Sequence, residues 1–538
     1  MEKNYLPKVA YFSMEYGIDV SFKAYAGGLG ILAGDYIKGA KDYGYPLVAL
    51  GIKWKQGYTD QLIGEDGTPY DTYHNNKYDF LKDTGVKISV NIRHTEVFCK
   101  VWLLDCFNNI PLYLLDTDIP ENNDNWITGQ LYGWFGEERI AQEIVLGIGG
   151  IKALRALNID VDVYHFNEGH AVFAGLELMR EKVEEGLTFD AAMEASKQEI
   201  VFTTHTPIVE GNESHIVEKL MYMGANNGFT EEELIKLGGS PFNMTVAALR
   251  LSRLSNAVAE LHRVTANKMW KGTKGSSKII GITNAIHKPT WVDNNMIDAA
   301  EGMGDLWGNH MKNKKALIDF IYTRNGVELN SDKLLIGFSR RAAPYKRSNF
   351  IFTNEELMDP LLKAGKVQIV FSGKAHPLDD EGKKIVSDII IITKKYPNSV
   401  VFLQNYDMTI GKMLTRGADI WLNNPRRPKE ASGTSGMKAT MNGVLNLSIL
   451  DGWWPEACQD GENGWQFGNG FENANDEILD ENDLKDLYKV LLGEVIPTYY
   501  ENRVKWVEMM KNSINSTKDY FSVKRMLEEY FGKLYTKQ

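Results

Sequence analysis

The apolar positions along the chain fall into two recurring patterns. Short runs such as "VAYFS" (9–13), "PLVALG" (46–51), "DVYHFN" (162–167) and "IVFTTH" (200–205) are largely apolar and end in polar or turn-forming residues, as strands covered on both faces do. Longer stretches, "EERIAQEIVLGIGGIKALRAL" (137–157) and "VAALRLSRLSNAVAELHRVTANKM" (246–269), repeat apolar residues at helical spacing and predict helices. In the second half "KLLIGF" (333–338), "VQIVFSG" (367–373), "VVFLQN" (400–405), "ADIWLN" (418–423) and "GVLNLSIL" (443–450) predict strands, with helices over 379–395 and 408–417. Such alternation predicts parallel α/β sheets. The helical period lapses at "ITNAIHKPTW" (282–291). The pattern therefore predicts one domain over 1–284, a second over 285–498, and a helical tail over 499–538 packing back on the first. The fold class expected is α/β, two doubly wound, Rossmann-like domains facing a cleft, with ligands outside the carboxyl ends of strands.

Composition narrows the function. A net charge of -11 and a pI near 5.6 exclude a general nucleic-acid or anionic-membrane binder. Cys99, Cys106 and Cys458 form neither a disulfide framework nor a metal spacing, which suits a reducing compartment. The start "MEKNYLPKVAYF" has no basic-then-apolar pattern and no uncharged run reaches a membrane span, so a soluble, cytoplasmic protein is expected.

Against that acidic background several strand-end motifs carry chemistry. "AYAGGLGILAGDY" (24–36) sets Gly27, Gly28 and Gly30 ahead of a helix; it fits a phosphate-cradling start or a tight turn, and it does not complete a dinucleotide fingerprint. "GFSRRAAPYKRSN" (337–349) places Arg340, Arg341, Lys346 and Arg347 directly after a strand, with Tyr345 among them, which favours an anion site. "FSGKAHP" (371–377) repeats that arrangement with Lys374. In "HFNEGH" (165–170), His165, Glu168 and His170 lack the spacing of a zinc site, so no metal is expected, and hydrogen bonding to sugar hydroxyls or plain loop structure is the better reading there and in "TTHTP" (203–207). No local acid–nucleophile pair and no G-x-S-x-G elbow marks a hydrolase. In "PKEASGTSGMKATMNG" (428–443) small residues open a helix and Lys438 follows at once. That lysine could contact phosphate, lie on a solvated face, or anchor a cofactor if desolvated.

"GGLGILA", "HTP", "TNAIHKPTW", "RRAAPYKR", "FSGKAHP", "EASGTSGMKATMNG" and "LDG" (450–452), in family order along the chain, resemble the motifs of the α-glucan (glycogen, starch and maltodextrin) phosphorylases, and most closely the short bacterial and archaeal type. The resemblance implies two domains of the GT-B glycosyltransferase architecture and retaining, reversible phosphorolysis of α-1,4-glucan or maltodextrin by inorganic phosphate to α-D-glucose 1-phosphate. It implies pyridoxal 5′-phosphate on Lys438, whose own phosphate relays a proton. It puts Arg340, Thr434, Ser435, Gly436, Trp291 and Tyr406 around that cofactor, and Arg341, Lys346, Gly27 and Gly28 at substrate phosphate or its loop. Glu430, Ala431, Ser432, Gly433, Asn284, His205 and Tyr345 fall at the sugar, with Lys438, Arg341, Lys346, Glu430 and His205 in catalytic roles. A homodimer has family precedent only, and no phosphorylation switch or nucleotide activator site is expected. The chain departs from the larger enzymes at Ser435-Gly436, Ala343-Pro344 and Asp407. The rivals are a nucleotide-sugar-dependent glucan synthase of the same fold and a non-catalytic glucan-binding protein. The synthases carry a glutamate eight residues after the first acid of this loop, where this chain has Lys438, and a mere binder has no need of the cofactor residues.

Overall fold

A computed structural model describes residues 6–537. The chain forms two compact units: the first comprises residues up to Tyr58, Tyr73–Thr283 and Val523 onward, and the second Thr59–Thr72 and Asn284–Ser522.

The first unit is built on a nine-stranded sheet. From one edge the strands run Ile279–Gly281, Leu254–Ala257, Ile200–Thr203, Val163–Asn167, Val9–Phe12, Leu47–Ile52, Leu112–Asp116, Thr95–Leu104 and Lys82–Ile92. Neighbours are parallel as far as Leu112–Asp116, and the last two strands complete an antiparallel wing. Alternation there is weak because the long strand Lys82–Ile92 is mostly exposed or half-buried, so its residues carry little of the apolar signal that marks a covered strand.

Two predicted helices differ from expectation. The stretch 137–157 is helical but passes through a π-helical turn at Val145–Gly149 between Glu137–Ile144 and Gly150–Ala156. The stretch 246–269 is not one helix: Met244–Leu251 and Glu260–Trp270 flank the strand Leu254–Ala257. That strand is short and half polar, yet it pairs on both sides, so tertiary pairing outweighs the helical spacing of the apolar residues around it.

The second unit carries six parallel strands in the order Val400–Leu403, Val367–Ser372, Leu334–Ser339, Ile420–Asn423, Leu445–Ile449, Gly464–Phe467. Every residue of Leu334–Ser339 and Val367–Ser372 is buried. Their alternate side chains divide between two cores: Leu334, Ile336, Phe338, Ile369 and Phe371 join one, Leu335 and Val370 the other. The period of two along a strand feeds both faces of a sheet covered by helices.

The helical tail is divided between the two units. Ile496–Glu501 and Arg503–Thr517 lie in the second unit, where Tyr499, Trp506, Met510 and Ile514 enter its core. Asn502 interrupts them by capping the second helix through Lys505 N–H. Val523–Glu529 and the turns up to Tyr535 belong to the first unit. Asn256 Nδ2 donates to Tyr530 Oη at 3.0 Å, and Tyr535 Oη lies 2.7 Å from His165 Nδ1. Among the described residues no helix is long and apolar enough to cross a membrane.

Candidate active site

In the second unit the strand Ile420–Asn423 leads through 424–433 into the helix Thr434–Met441, and Leu445–Ile449 follows. Gly433 caps that helix in the left-handed region, with φ 86° and no side-chain cap, so the first N–H groups of the helix have no partner from a capping side chain. Lys438 lies one turn in and is only 4% exposed. Its Nζ stands 3.5 Å from the ring centroid of the fully buried Trp291. Asn442 holds the two together: its Nδ2 donates to the carbonyls of both Lys438, at 2.9 Å, and Trp291, at 3.3 Å. The amine is thus largely removed from water, one of the conditions under which a lysine can be activated.

Beside it lies an ion cluster. Arg340, at the end of strand Leu334–Ser339, donates to Glu430 and to Asn423 Oδ1. Lys346 Nζ donates to the same Glu430 oxygen at 2.7 Å. Burial pushes the Glu430 carboxyl up, but Arg340 and Lys346 outweigh it and hold it down at about 2. Lys346 also stands 4.8 Å over the Tyr345 ring. Half-buried Tyr406 is pushed up to about 12 by burial and by Asp407, with Arg340 opposing.

The basic run divides. Arg347 is buried and structural: Asp480 and Asp483 pair with it, and the carbonyls of Asn424 and Pro425 accept from it. Arg341, by contrast, is exposed. Lys374 donates to the Thr59 carbonyl at 2.8 Å, within the same unit.

The small-residue loop is braced from the other side. Asp451, fully buried, accepts the Glu430 N–H at 2.9 Å and the Gly452 N–H at 2.8 Å. Trp453 N–H donates to the Ser432 carbonyl at 3.0 Å. A Cβ at Gly452 would lie 2.2 Å from that carbonyl, so only glycine fits. Burial and then the neighbouring Glu430 charge raise the Asp451 carboxyl to about 8. Two buried polar atoms, Ser432 Oγ and Asn446 Oδ1, have no hydrogen-bond partner among the described residues. Ser435 Oγ accepts from Trp421 Nε1 at 3.2 Å. At Gly436 a Cβ would come within 2.9 Å of Trp453 Nε1. Asn284, also buried, opens this unit. Asp451 carries no role from sequence, although it lies within the "LDG" motif.

Gly27, Gly28 and His205 belong to the first unit. Gly27 caps the helix Gly28–Asp42. His205 follows strand Ile200–Thr203; its Nε2 lies 2.6 Å from Asn167 Oδ1 and its backbone N–H donates to Glu168 Oε2 at 2.8 Å. Burial, then His262 and His170, lower its imidazole to about 3, so it is neutral at ordinary pH. Glu168 also accepts from Thr206 Oγ1 at 3.1 Å and braces this loop. His165 is taken by Tyr535 and Thr203. Among the described residues the group with metal-ligand spacing is instead Glu143, Glu213 and His215, into which Arg139 brings a positive charge 3.2 Å from Glu213.

Of two α/β units built on large parallel sheets, the second bears a buried lysine on a helix that opens in small residues, with a paired carboxylate in the loop before it. The carbohydrate phosphorylase family model matches residues 294–473. Maltodextrin phosphorylase of Thermococcus litoralis is 38% identical across 98% of this chain and 70% of its own length. Glycogen phosphorylase of Aquifex aeolicus is 35% identical across 100% and 87%. An uncharacterized protein of Methanocaldococcus jannaschii is 37% identical across 98% of this chain and 99% of its own length. The chain belongs to the α-glucan phosphorylase family.

Proposed function

We propose that the protein cleaves the non-reducing-end glucosyl unit of an α-1,4-glucan or maltodextrin with inorganic phosphate, reversibly and with retention, to give α-D-glucose 1-phosphate. The observation that carries this reading is the buried Lys438 amine on Trp291, on the helix whose preceding loop bears Glu430, the partner of Arg340 and Lys346.

The cradle suits pyridoxal 5′-phosphate. Ser432 Oγ and Asn446 Oδ1 are buried without partners among the described residues, a cost that a polar ligand would relieve. The helix start at Thr434 offers N–H groups to an anion. Lys438 would hold the cofactor covalently, Trp291 and Tyr406 would flank it, and Arg340, Thr434, Ser435 and Gly436 would take its phosphate end. When bound, the cofactor supplies a phosphate group able to exchange a proton with inorganic phosphate.

The remaining steps fall to the chain and its substrates. Arg341, Lys346 and Gly28 bind inorganic phosphate, and the two cations offset the repulsion between phosphates in a low-dielectric site. Inorganic phosphate gives a proton to the glycosidic oxygen as the bond from C1 breaks, and a phosphate oxygen then bonds to C1. Glu430, Ala431, Ser432, Gly433, Asn284, Tyr345, Gly27 and neutral His205 orient the glucosyl unit. Glu430, held as a carboxylate by Arg340 and Lys346, accepts hydrogen bonds from sugar hydroxyls. No protein nucleophile is required.

The test is the absorption spectrum of the purified protein, borohydride reduction with mapping of the labelled peptide, and phosphorolysis by Lys438→Ala. A near-ultraviolet cofactor band, label on Lys438, and a folded, colourless, inactive variant are expected. An active Lys438→Ala protein without the band would overturn the reading.

A further inference from the structure

In the first unit a buried carboxylate lies beneath the glycine loop. Glu15, 4% exposed, follows the strand Val9–Phe12. Its Oε2 accepts the N–H of Ala26 at 2.6 Å and of Gly27 at 3.1 Å, and its Oε1 accepts from Tyr132 Oη at 3.0 Å. Two backbone bonds stitch the same segments: Tyr16 N–H to the Ala24 carbonyl and Gly17 N–H to the Gly30 carbonyl, both at 2.7 Å.

This packing separates the glycines into two kinds. A Cβ at Gly30 would stand 2.6 Å from Glu15 Oε2, and one at Gly34 would stand 1.9 Å from the Gly17 carbonyl oxygen. Those two are glycine because the Glu15–Gly17 segment lies against them. A Cβ at Gly27 or Gly28 would meet nothing within 4 Å among the described residues. Neither has a positive φ. Packing and backbone geometry therefore leave both positions free to carry a side chain, and their bareness keeps the main chain open to an approaching group.

We infer that Glu15 is a positioning residue that holds the Ala26–Gly27 segment opening the helix Gly28–Asp42 in its substrate-binding shape; this rests on the phosphorylase reading above. A carboxylate receiving backbone N–H groups makes charge-assisted bonds, and its burial beneath the loop leaves it little room to shift. Glu15 touches no reacting atom. It sets where Gly27 and Gly28 present their backbone to phosphate and sugar.

The test compares steady-state kinetics of the holoenzyme and its variants, varying phosphate and maltoheptaose separately. Glu15→Ala, and Glu15→Asp with its shorter reach, should raise KM for phosphate roughly tenfold, and KM for maltoheptaose with it, while kcat stays within about twofold and the unfolding midpoint is unchanged. Glu15→Gln keeps an acceptor for the N–H groups and a donor for Tyr132, so it should recover most of the loss. Gly28→Ala, with open space for its methyl, reports whether the loop meets phosphate at all. An inactive wild type refutes the phosphorylase reading itself. An active wild type in which Gly28→Ala raises KM for phosphate but Glu15→Ala and Glu15→Asp do not refutes this inference alone. So does a Glu15→Asp enzyme in which all parameters decline together with thermal stability.

Discussion

The carboxyl of Asp451 accepts the backbone N–H of Glu430 at 2.9 Å, so one buried acid fixes the loop that presents another. The two are pushed in opposite directions. Glu430 has Arg340 and Lys346 as partners and is held near 2, whereas at Asp451 burial and the Glu430 charge outweigh the backbone donors and the charge of Arg427, and its carboxyl rises to about 8.

That difference predicts a pH dependence of stability. Unfolded, Asp451 ionises around its ordinary value of 3.8; folded, it keeps its proton up to about 8. Between those values the folded state binds more protons, so this residue makes stability fall as pH rises through the window and level off above it. Asp451→Asn cannot titrate. It should cost about 1–3 kcal/mol through the lost acceptor but show a flatter decline from pH 5 to 8. Thermal unfolding of both proteins at several pH values checks this; parallel curves would contradict it.

Arg341 is exposed while Arg340 and Lys346 are engaged by Glu430. Arg341→Ala should leave the fold and the cofactor band intact and raise KM for phosphate by roughly 10- to 100-fold, the worth of a hydrogen bond to a charged group. Unchanged phosphate dependence would remove Arg341 from the phosphate site.

Lys314 is fully buried in the second unit, where its Nζ donates to Asp419 Oδ2 at 2.6 Å and to Tyr499 Oη at 2.9 Å, while His310 Nε2 lies 2.8 Å from Asp419 Oδ1. Lys314→Met strands the Asp419 charge in the core. It should destabilise this unit by about 3–5 kcal/mol, visible as a lowered unfolding midpoint. A midpoint equal to wild type would show that the ion pair contributes nothing net.

The motifs and the sheet of the second unit were legible because its central strands are apolar on both faces: Leu334–Ser339 and Val367–Ser372 could hardly be read otherwise. Leu254–Ala257 and Lys82–Ile92 were not, since their strand character comes from neighbours distant in sequence, the first mixing polar with apolar residues and the second mostly exposed or half-buried. Among the candidate site residues, Lys438 stands out by its place in a run of small residues, and Arg340 and Lys346 by following a buried strand. Sequence could not separate them from Arg347, which shares their run but is consumed by Asp480 and Asp483 more than 130 positions away.

By itself, then, the sequence determined the α/β class, the order of the strands that carry strong apolar runs, and the family, because these follow from local periodicity and from short contiguous motifs. Only the tertiary structure decided which cations meet Glu430, that Glu15 and Asp451 brace the two loops, and which glycines are bare because packing demands it. Those facts depend on through-space distance: a carboxylate 11 residues from the N–H it receives, or 21, has no signature in periodicity.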